Sequence, residues 1–252
     1  MIASFPMYAR ASNKGAHDKL WALIRDGLHV RGIEAPRELD HTRDHMSVWA
    51  NEDLVLSQIC NLPYRDTFRG KVTRIGAADY GLSGCAPGYY NSVFVVRSDS
   101  PADNPTQFAE GRFAFNDLMS QSGYGSAQLW ADSHGFLFDA TMQTGSHHAS
   151  IAAVANGTAD IAAIDAQTWW IEQAENPLTA QLKVIGTTDP SPGMTFITRN
   201  GQDPVPYFDT IKHAIAALDT QSAKVLGVKG IIALPSSAYT LPFPPQQTAI
   251  PA

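Results

Sequence analysis

Hydrophobic and polar positions along the chain predict strands and helices in alternation. Short apolar runs bounded by turn residues are typical of buried strands, whereas Ala16, Leu20, Leu23, Ile24 and Leu28 have the spacing of one helix face. Strands are predicted at 2–8, 54–57, 72–77, 92–97, 112–115, 140–143, 159–164, 182–186 and 194–198. Helices are predicted after the first of these strands and at 122–131, 146–156, 168–175 and 208–218. Such alternation is typical of an α/β fold with parallel strands.

Two polar stretches interrupt this alternation and predict the domain organisation. Residues 98–106 are rich in Ser, Asp, Asn and Pro, and residues 189–193 read Asp-Pro-Ser-Pro-Gly. The simplest topology is a middle domain, 98–192, inserted into an outer domain made of 1–97 plus 193–252. Two crossing segments would join the domains and leave a hinged ligand cleft between them. The proline-rich tail from Pro242 has no periodic pattern and is predicted to wrap the surface or to be disordered.

Composition narrows the function classes. The 252 residues include 18 basic and 24 acidic ones, a net charge of −6, and 44% are hydrophobic against 17% charged. This balance allows a sizeable core and excludes disorder as the main state. It also argues against nucleic acid or an anionic membrane surface as a partner, because both are bound by clustered Lys and Arg. No run approaches the roughly 18 uninterrupted apolar residues of a membrane span.

The start of the chain and its cysteines bear on the compartment. The first residues lack the basic and apolar regions of a secretory leader. We therefore expect a periplasmic protein whose leader has been removed, or a cytoplasmic one if the gene encodes no leader. Cys60 and Cys85 both lie beside turn residues and form either a disulfide or two unrelated buried thiols.

One turn has the composition of an anion site. Residues 116–125, Asn-Asp-Leu-Met-Ser-Gln-Ser-Gly-Tyr-Gly, follow a predicted strand and open a predicted helix. A Ser- and Gly-rich helix start presents unpaired backbone N–H groups, hydroxyls and the positive end of the helix dipole, so it can bind an anion without Lys or Arg. The alternative is ordinary helix capping by Ser120 or Ser122.

Two further turns place polar side chains after predicted strands. In residues 144–150, either His147 or His148 could donate a hydrogen bond to an oxyanion. Asp165 ends the next strand and, taken alone, is most simply a helix cap. Because ligands of open α/β sheets bind beyond the carboxyl ends of strands, three such turns in succession favour a binding site.

Catalytic and metal-site interpretations of these residues are weaker. A Ser hydrolase of the α/β type needs a G-x-S-x-G elbow and the order Ser, Asp, His, whereas this chain has Gln121 and Gly123 around Ser122 and the order Ser, His, Asp. Nucleotide-binding and zinc-protease motifs are absent from the sequence. His41 and His45 have metal-pair spacing but lie in a charged segment, which favours a solvated face. No cofactor or metal is expected.

The sequence resembles the phosphate, phosphite and phosphonate substrate-binding family of ABC transporters, the PhnD-like group. The resemblance rests on Phe5-Pro-Met-Tyr8, Gly88 to Arg97, Ser120-Gln-Ser-Gly123, Gly145-Ser-His147 and Ala159 to Asp165. It implies a type II periplasmic-binding-protein fold with two lobes, two mixed sheets, two crossing segments and a ligand cleft. It further implies a non-catalytic, monomeric receptor that delivers a small oxyanion to a membrane permease.

By position, the resemblance assigns the ligand contacts. Ser120, Gln121 and Ser122 match the turn that holds phosphoryl oxygens, His147 an imidazole donor, and Asp165 a carboxylate that faces the ligand. Such a carboxylate would select ligands that carry an O–H or N–H, since two bare anions repel. Tyrosine hydroxyls would complete the site, at Tyr8, Tyr64 and Tyr90. The alternative function is an enzyme or a cytosolic sensor on the same fold, acting on another small anionic or pyrimidine-like ligand.

Overall fold

The structure, a computed structural model, describes residues 1–245, and the chain divides into two compact units. Unit 1 consists of residues 1–89 and 192–240, and unit 2 of residues 90–191 together with the described tail, 241–245. The strand at 92–97, which the sequence analysis placed in the outer domain, is therefore part of unit 2. The same holds for residues 241–245 of the tail, whereas Pro251 lies outside the described residues.

Twelve strands and eight helices are named here in chain order. The strands are β1 (Ile2–Ser4), β2 (Leu54–Ile59), β3 (Val72–Asp79), β4 (Tyr89–Tyr90), β5 (Ser92–Arg97), β6 (Phe113–Phe115), β7 (Thr141–Gln143), β8 (Ile161–Asp165), β9 (Leu182–Thr187), β10 (Ser191–Pro192), β11 (Thr195–Arg199) and β12 (Gly230–Ile232). The helices are α1 (Lys14–Val30), α2 (His45–Trp49), α3 (Asn61–Pro63), α4 (Ser126–Ser133), α5 (His147–Ala155), α6 (Ala166–Glu175), α7 (Pro204–Ala216) and α8 (Thr220–Leu226). Short 3-10 or π turns connect several of them, at Tyr64–Phe68, Pro105–Phe108, Gln121–Gly125, Pro177–Gln181 and Ser236–Tyr239.

Unit 1 is built around a five-stranded mixed sheet in the order β1-β2-β11-β3-β12. β1 and β2 are parallel, whereas β11 is antiparallel to both of its neighbours and β12 is antiparallel to β3. α1 packs against α7 and α8, and its buried face carries Leu20, Trp21, Ile24 and Leu28. The helix predicted from this spacing is thus confirmed, and its apolar face forms part of the main core of the unit. Leu23, which was predicted on the same face, is exposed instead.

Unit 2 also contains a five-stranded mixed sheet, in the order β7-β6-β8-β5-β9. β7, β6 and β8 are mutually parallel, and β5 is antiparallel to β8 and β9. The sheet is covered on both faces: Val95 packs with residues of α5 on one face, and Phe94 with residues of α4 on the other. Adjacent residues of β5 therefore enter different cores, as the two-residue period of a strand requires.

The parallel pattern that the alternation of strands and helices indicated does not extend to β5 and β11. Both were predicted as strands at nearly their observed bounds, but both run antiparallel to their neighbours. The reason is that a strand buried on both faces reads as an apolar run in either direction. The prediction of mixed sheets, made from the family resemblance, is confirmed.

Cys60 and Cys85 are not joined by a disulfide in this structure. Cys60 is buried at the end of β2, and Cys85 lies half-buried in the loop that follows β3. Partial burial raises the pKa of the Cys85 thiol, which favours the protonated form. The alternative interpretation, two unrelated thiols, is the one that the structure supports.

No helix within residues 1–245 combines the length and the apolar character needed to cross a bilayer. The longest helix of this part of the chain, α1, has 17 residues and a strongly two-sided pattern of buried and exposed positions.

Candidate functional site

The candidate site in unit 2 lies at one edge of its sheet. Ser120 and Ser122 lie in the turn that follows β6, and His147 lies in the turn that follows β7. Asp165 is the last residue of β8. These three strands are parallel neighbours in the sheet, so their carboxyl ends meet at the same edge. The topology thus brings together the polar residues of three turns that lie far apart in the sequence.

Ser120 organises the first turn by capping it. Its Oγ accepts a 3.0 Å hydrogen bond from the backbone N–H of Gly123, and its carbonyl oxygen accepts one from Gly125 N at 2.9 Å. The second bond spans five residues, so Gln121–Gly125 forms a wide π-type turn that continues into α4. The capping interpretation from the sequence is therefore correct for Ser120, which leaves Ser122 free of a capping role.

Ser122 and His147 join the first two turns. Ser122 Oγ lies 3.0 Å from His147 Nε2 and 3.3 Å from Ser120 Oγ, so the two hydroxyls and the imidazole form a continuous chain of polar atoms. Ser120 and Ser122 are buried, and His147 is half-buried at the first position of α5. The arrangement offers hydroxyl and imidazole donors beside the starts of two helices, where the dipoles favour a negative charge.

His148, the alternative to His147, faces a different group. Its Nδ1 lies 2.9 Å from Glu172 Oε2 in α6, and Asn176 Nδ2 donates a 2.9 Å hydrogen bond to the same oxygen. Glu172 is buried, so this contact ties the start of α5 to α6. Of the two histidines that the sequence left open, His147 is the one that reaches the serine turn.

Asp165 ends β8 and caps the next helix. Its Oδ1 accepts a 2.9 Å hydrogen bond from Thr168 N at the start of α6, and the residue is only 1% exposed. The helix-cap interpretation is therefore correct. A capping carboxylate retains lone pairs for further donors, so capping and ligand contact are compatible.

Ser92, which sequence reasoning missed, links Asp165 to the serine turn. It lies opposite Asp165 in the β5–β8 pair, and its Oγ donates a 2.8 Å hydrogen bond to the carbonyl oxygen of Ser122. The π turn that carries Ser122 also packs against β8. Because a single Ser at the start of an apolar run has no distinctive pattern, no sequence signal could have singled it out.

Gly123 allows the close approach of the first two turns. A Cβ atom at this position would lie 1.9 Å from Asn116 Oδ1 and 3.2 Å from His147 Cε1. The carboxamide oxygen of Asn116 is buried and has no hydrogen-bond partner within residues 1–245. Any side chain at 123 would therefore displace Asn116, His147 or both.

The side chain of Gln121 forms a hydrogen bond within unit 2. Its Nε2 donates a 2.9 Å hydrogen bond to Ser126 Oγ, and the residue is 1% exposed. The amide therefore fixes the π turn against the first residue of α4.

The predicted tyrosines are distributed over both units. Tyr8 and Tyr64 belong to unit 1, whereas Tyr90 belongs to unit 2, and all three are buried. The ring of Tyr8 meets Tyr80 edge-on at 5.1 Å, and that of Tyr64 meets Tyr239 edge-on at 5.3 Å. Their role as ligand donors stays a prediction.

The three strand-end turns contain no Lys or Arg, so donor groups and helix starts are the sources of positive potential within them. Within the described residues, no cluster of three His, Cys, Asp or Glu side chains has the arrangement of a metal site. The chemistry available here is hydrogen bonding to a small acceptor-rich molecule.

A family model for the periplasmic phosphonate substrate-binding proteins of ABC transporters matches residues 45–239. The chain belongs to this family. The match includes the three strand-end turns, β5 and Tyr64, so the family resemblance noted from the sequence is confirmed. A search of curated protein sequences found no match.

Solved structures of similar fold agree with the family. PhnD1 from Prochlorococcus marinus (MIT 9301), in complex with methylphosphonate, aligns with a TM-score of 0.67 at 18% identity over 95% of this chain and 94% of that one. A binding protein component of an ABC phosphonate transporter from Pseudomonas aeruginosa aligns with a TM-score of 0.66 at 18% identity over 95% and 82% of the two chains. XAC2383 from Xanthomonas citri, bound to ATP, aligns with a TM-score of 0.66 at 18% identity over 94% of this chain and 92% of that one. At this identity the likeness shows the fold, which is that of the type II periplasmic binding proteins.

Membership of the phosphonate-binding family gives the general role. The family consists of periplasmic substrate-binding proteins of ABC transporters, so a solute-binding role is supported, with a membrane permease as the partner of the family.

Proposed function

We propose that this protein is the solute receptor of an ABC importer and binds a small phosphorus oxyanion, a phosphonate, phosphate or phosphite. The observation that carries the proposal is the chain of polar atoms Ser120 Oγ, Ser122 Oγ and His147 Nε2 beside the starts of two helices. Tetrahedral oxyanions present several acceptor oxygens at once, which suits a set of converging donors.

Binding exchanges hydrogen bonds within the site for bonds to the ligand. In the arrangement described above, Ser122 and His147 bond each other, so each gives up that bond when it donates to a phosphoryl oxygen. Bonds to a charged acceptor are stronger than bonds between neutral groups, so the exchange is favourable. Ser92 and Gln121 hold the turn in place while its donors change partners.

Asp165 supplies selectivity. A buried carboxylate beside an anion is repulsive unless a proton lies between the two. The receptor therefore favours ligands that keep a P–O–H or carry an ammonium group. Binding is expected to weaken as pH rises and the ligand loses its last proton.

The proposed receptor acts without chemical change to its ligand and works as a monomer in the periplasm. Tyr8, Tyr64 and Tyr90 are proposed as further hydroxyl donors, on the family resemblance. The ligand is then passed to a membrane permease, the partner that the family implies.

A thermal-shift screen tests the ligand class. Phosphate, phosphite, methylphosphonate, 2-aminoethylphosphonate, sulfate, simple carboxylates and thiamine-related pyrimidines form the panel. A ligand at 100 times its Kd stabilises the folded state by about 2.7 kcal/mol, which is a measurable rise in Tm. A selective rise with one phosphorus oxyanion supports the proposal. A response limited to pyrimidines or carboxylates contradicts it.

Recovery of the ligand separates receptor from enzyme. After prolonged incubation with the protein, the phosphorus NMR spectrum of the best ligand should be unchanged. Appearance of a new phosphorus signal that depends on His147 would favour the enzymatic alternative.

A further inference from the structure

Asn91, between β4 and β5, is a buried amide that the contacts described above leave unused. The residue is 6% exposed, and its backbone carbonyl oxygen accepts a 3.0 Å hydrogen bond from Ala166 N. Within residues 1–245 its side-chain carboxamide forms no hydrogen bond. Buried polar side chains are nearly always hydrogen-bonded, so an amide without a partner in the described chain indicates a partner from outside it.

The backbone places Asn91 at the edge of the sheet where the strand-end turns meet. Ala166, which bonds to its carbonyl oxygen, is the first residue of α6 and directly follows Asp165. Ser92, the next residue of the chain, lies opposite Asp165 in the β5–β8 pair and bonds to the carbonyl oxygen of Ser122. Asn91 therefore lies within one residue of contacts to both the serine turn and Asp165.

The same stretch of backbone is held on its other side by Thr188. Ser92 N donates a 3.0 Å hydrogen bond to Thr188 Oγ1, and Ser92 O accepts a 2.9 Å bond from Thr188 N. The chain at Asn91 is thus fixed between α6 and the residue that follows β9. A side chain on a fixed backbone loses little conformational entropy when a ligand binds it.

The carboxamide of Asn91 differs from two further unpartnered polar atoms of unit 2. Asn116 Oδ1 and Ser191 Oγ are completely enclosed, so no ligand can reach them. The carboxamide atoms of Asn91 are not among the enclosed atoms, so they remain accessible to a small molecule at this edge.

The chemistry of a carboxamide matches that of a protonated oxyanion. A carboxamide presents N–H donors and an acceptor oxygen side by side. A protonated phosphorus oxyanion presents the complementary pair, a bare oxygen and a P–O–H group on the same phosphorus atom. Sulfate has the same tetrahedral shape but carries no proton at neutral pH, so it can use the donor alone.

We propose that Asn91 is a ligand-contacting and specificity-determining residue of the oxyanion site, an inference that rests on the proposed function. Asn91 Nδ2 donates to one oxygen of a phosphorus monoanion, and Oδ1 accepts a hydrogen bond from its P–O–H group. The carboxamide thereby favours protonated phosphorus oxyanions over sulfate, because a bare oxygen opposite Oδ1 would leave two acceptors in contact.

Asn91→Leu tests the proposal, because leucine is close to asparagine in size and forms no side-chain hydrogen bonds. Calorimetric titration should show about 10- to 100-fold weaker binding of methylphosphonate. The Tm of the apo protein should be unchanged or higher, because replacing an unpaired amide with an apolar group of similar shape is neutral or stabilising. A merely structural amide would instead lower the Tm when it is removed.

Asn91→Asp is the second variant, since it keeps the size and the acceptor but loses the donor and adds a negative charge. The apo protein should stay folded, because the start of α6 beside residue 91 favours a carboxylate. Binding of methylphosphonate at pH 7.5 should be weaker than in Asn91→Leu, because the two anions repel each other. Equal or tighter binding than in Asn91→Leu would contradict a direct contact.

Asn156→Leu, at an exposed asparagine that follows α5, is the matched control and should bind methylphosphonate like the native protein. Native-like affinity of Asn91→Leu would overturn the proposal, and so would a lower apo Tm of that variant, since the amide would then be satisfied within the protein. A native protein that binds none of phosphate, phosphite and methylphosphonate would overturn the proposed function as well.

Discussion

Ser122 Oγ and His147 Nε2 lie 3.0 Å apart, although 25 residues separate them in the sequence. Each side chain lies in the first turn of its own helical segment, and the parallel strands β6 and β7 bring the two starts together. The contact therefore depends on the sheet and on the two turns, and small changes there should be visible in ligand binding.

Ser122→Ala should weaken phosphorus-oxyanion binding by about 10- to 100-fold, because one donor to a charged acceptor is lost. The apo protein should unfold at nearly the native temperature, since Ser120 provides the cap of the turn. Calorimetric titration measures the affinity. Ser133→Ala, an exposed position at the end of α4, is the control and should bind normally. Loss of apo stability with retained affinity would make Ser122 structural.

His147→Gln should bind the ligand more tightly than His147→Ala, because glutamine retains a side-chain N–H donor. An affinity that decreases from the native protein to His147→Gln and then to His147→Ala identifies His147 as a hydrogen-bond donor. Equal affinities of the two variants would contradict this role.

Gly123→Ala should destabilise the protein by about 1–3 kcal/mol, because its Cβ would overlap Asn116 Oδ1 at 1.9 Å. Urea unfolding measures the effect. Asn116→Ala removes the obstructing carboxamide, so the double variant should recover much of the loss. Gly15→Ala in the first turn of α1 has open space around it and should instead be neutral or stabilising, by up to about 1 kcal/mol.

His17 should make unit 1 sensitive to acid. Burial lowers the pKa of His17 to about 4, although a hydrogen bond to the carbonyl oxygen of Asn13 opposes this. The unfolded chain then takes up a proton below about pH 6.5 and the folded one does not, so stability falls as pH drops from there towards 4. Between pH 7.5 and pH 5 the loss from this residue is about 2 kcal/mol.

His17→Gln should remove this part of the pH dependence. Urea unfolding at the two pH values gives the difference, and His213→Gln at an exposed position is the control. An identical pH dependence for native and His17→Gln proteins would show that His17 is protonated without cost in the folded state.

Two buried tyrosines should respond in opposite ways to loss of the hydroxyl. The Tyr207 hydroxyl has no hydrogen-bond partner among the described residues, whereas that of Tyr239 lies 2.9 Å from Thr195 Oγ1. Tyr207→Phe should therefore leave stability unchanged or raise it, and Tyr239→Phe should lower it by about 1 kcal/mol. Thermal unfolding of the pair is the measurement, and a loss at Tyr207 would mean that its hydroxyl is satisfied.

Much of the fold and part of the candidate site could be predicted from the sequence. Apolar runs marked most strands, and Ser, His and Asp after three of them marked the turns that the sheet brings to one edge. Strand direction could not be predicted, because β5 and β11 are buried on both faces. The partner of His148 could not be predicted either, since Glu172 lies 24 residues away.

The contributions of Ser92 and Gly123 depend on three-dimensional proximity alone. Ser92 acts through a backbone carbonyl of a distant turn, and Gly123 acts by leaving space for Asn116. Neither effect has a local sequence pattern.

The central position of β11 in the sheet of unit 1 has a consequence for biosynthesis. β11 separates β2 from β3, yet it is made after all of residues 90–191. A nascent chain that ends before residue 195 therefore lacks the strand that joins the two halves of this sheet. The main body of unit 2 is contiguous and can fold while the ribosome is still translating, whereas residues 1–89 cannot complete their sheet until β11 has been made.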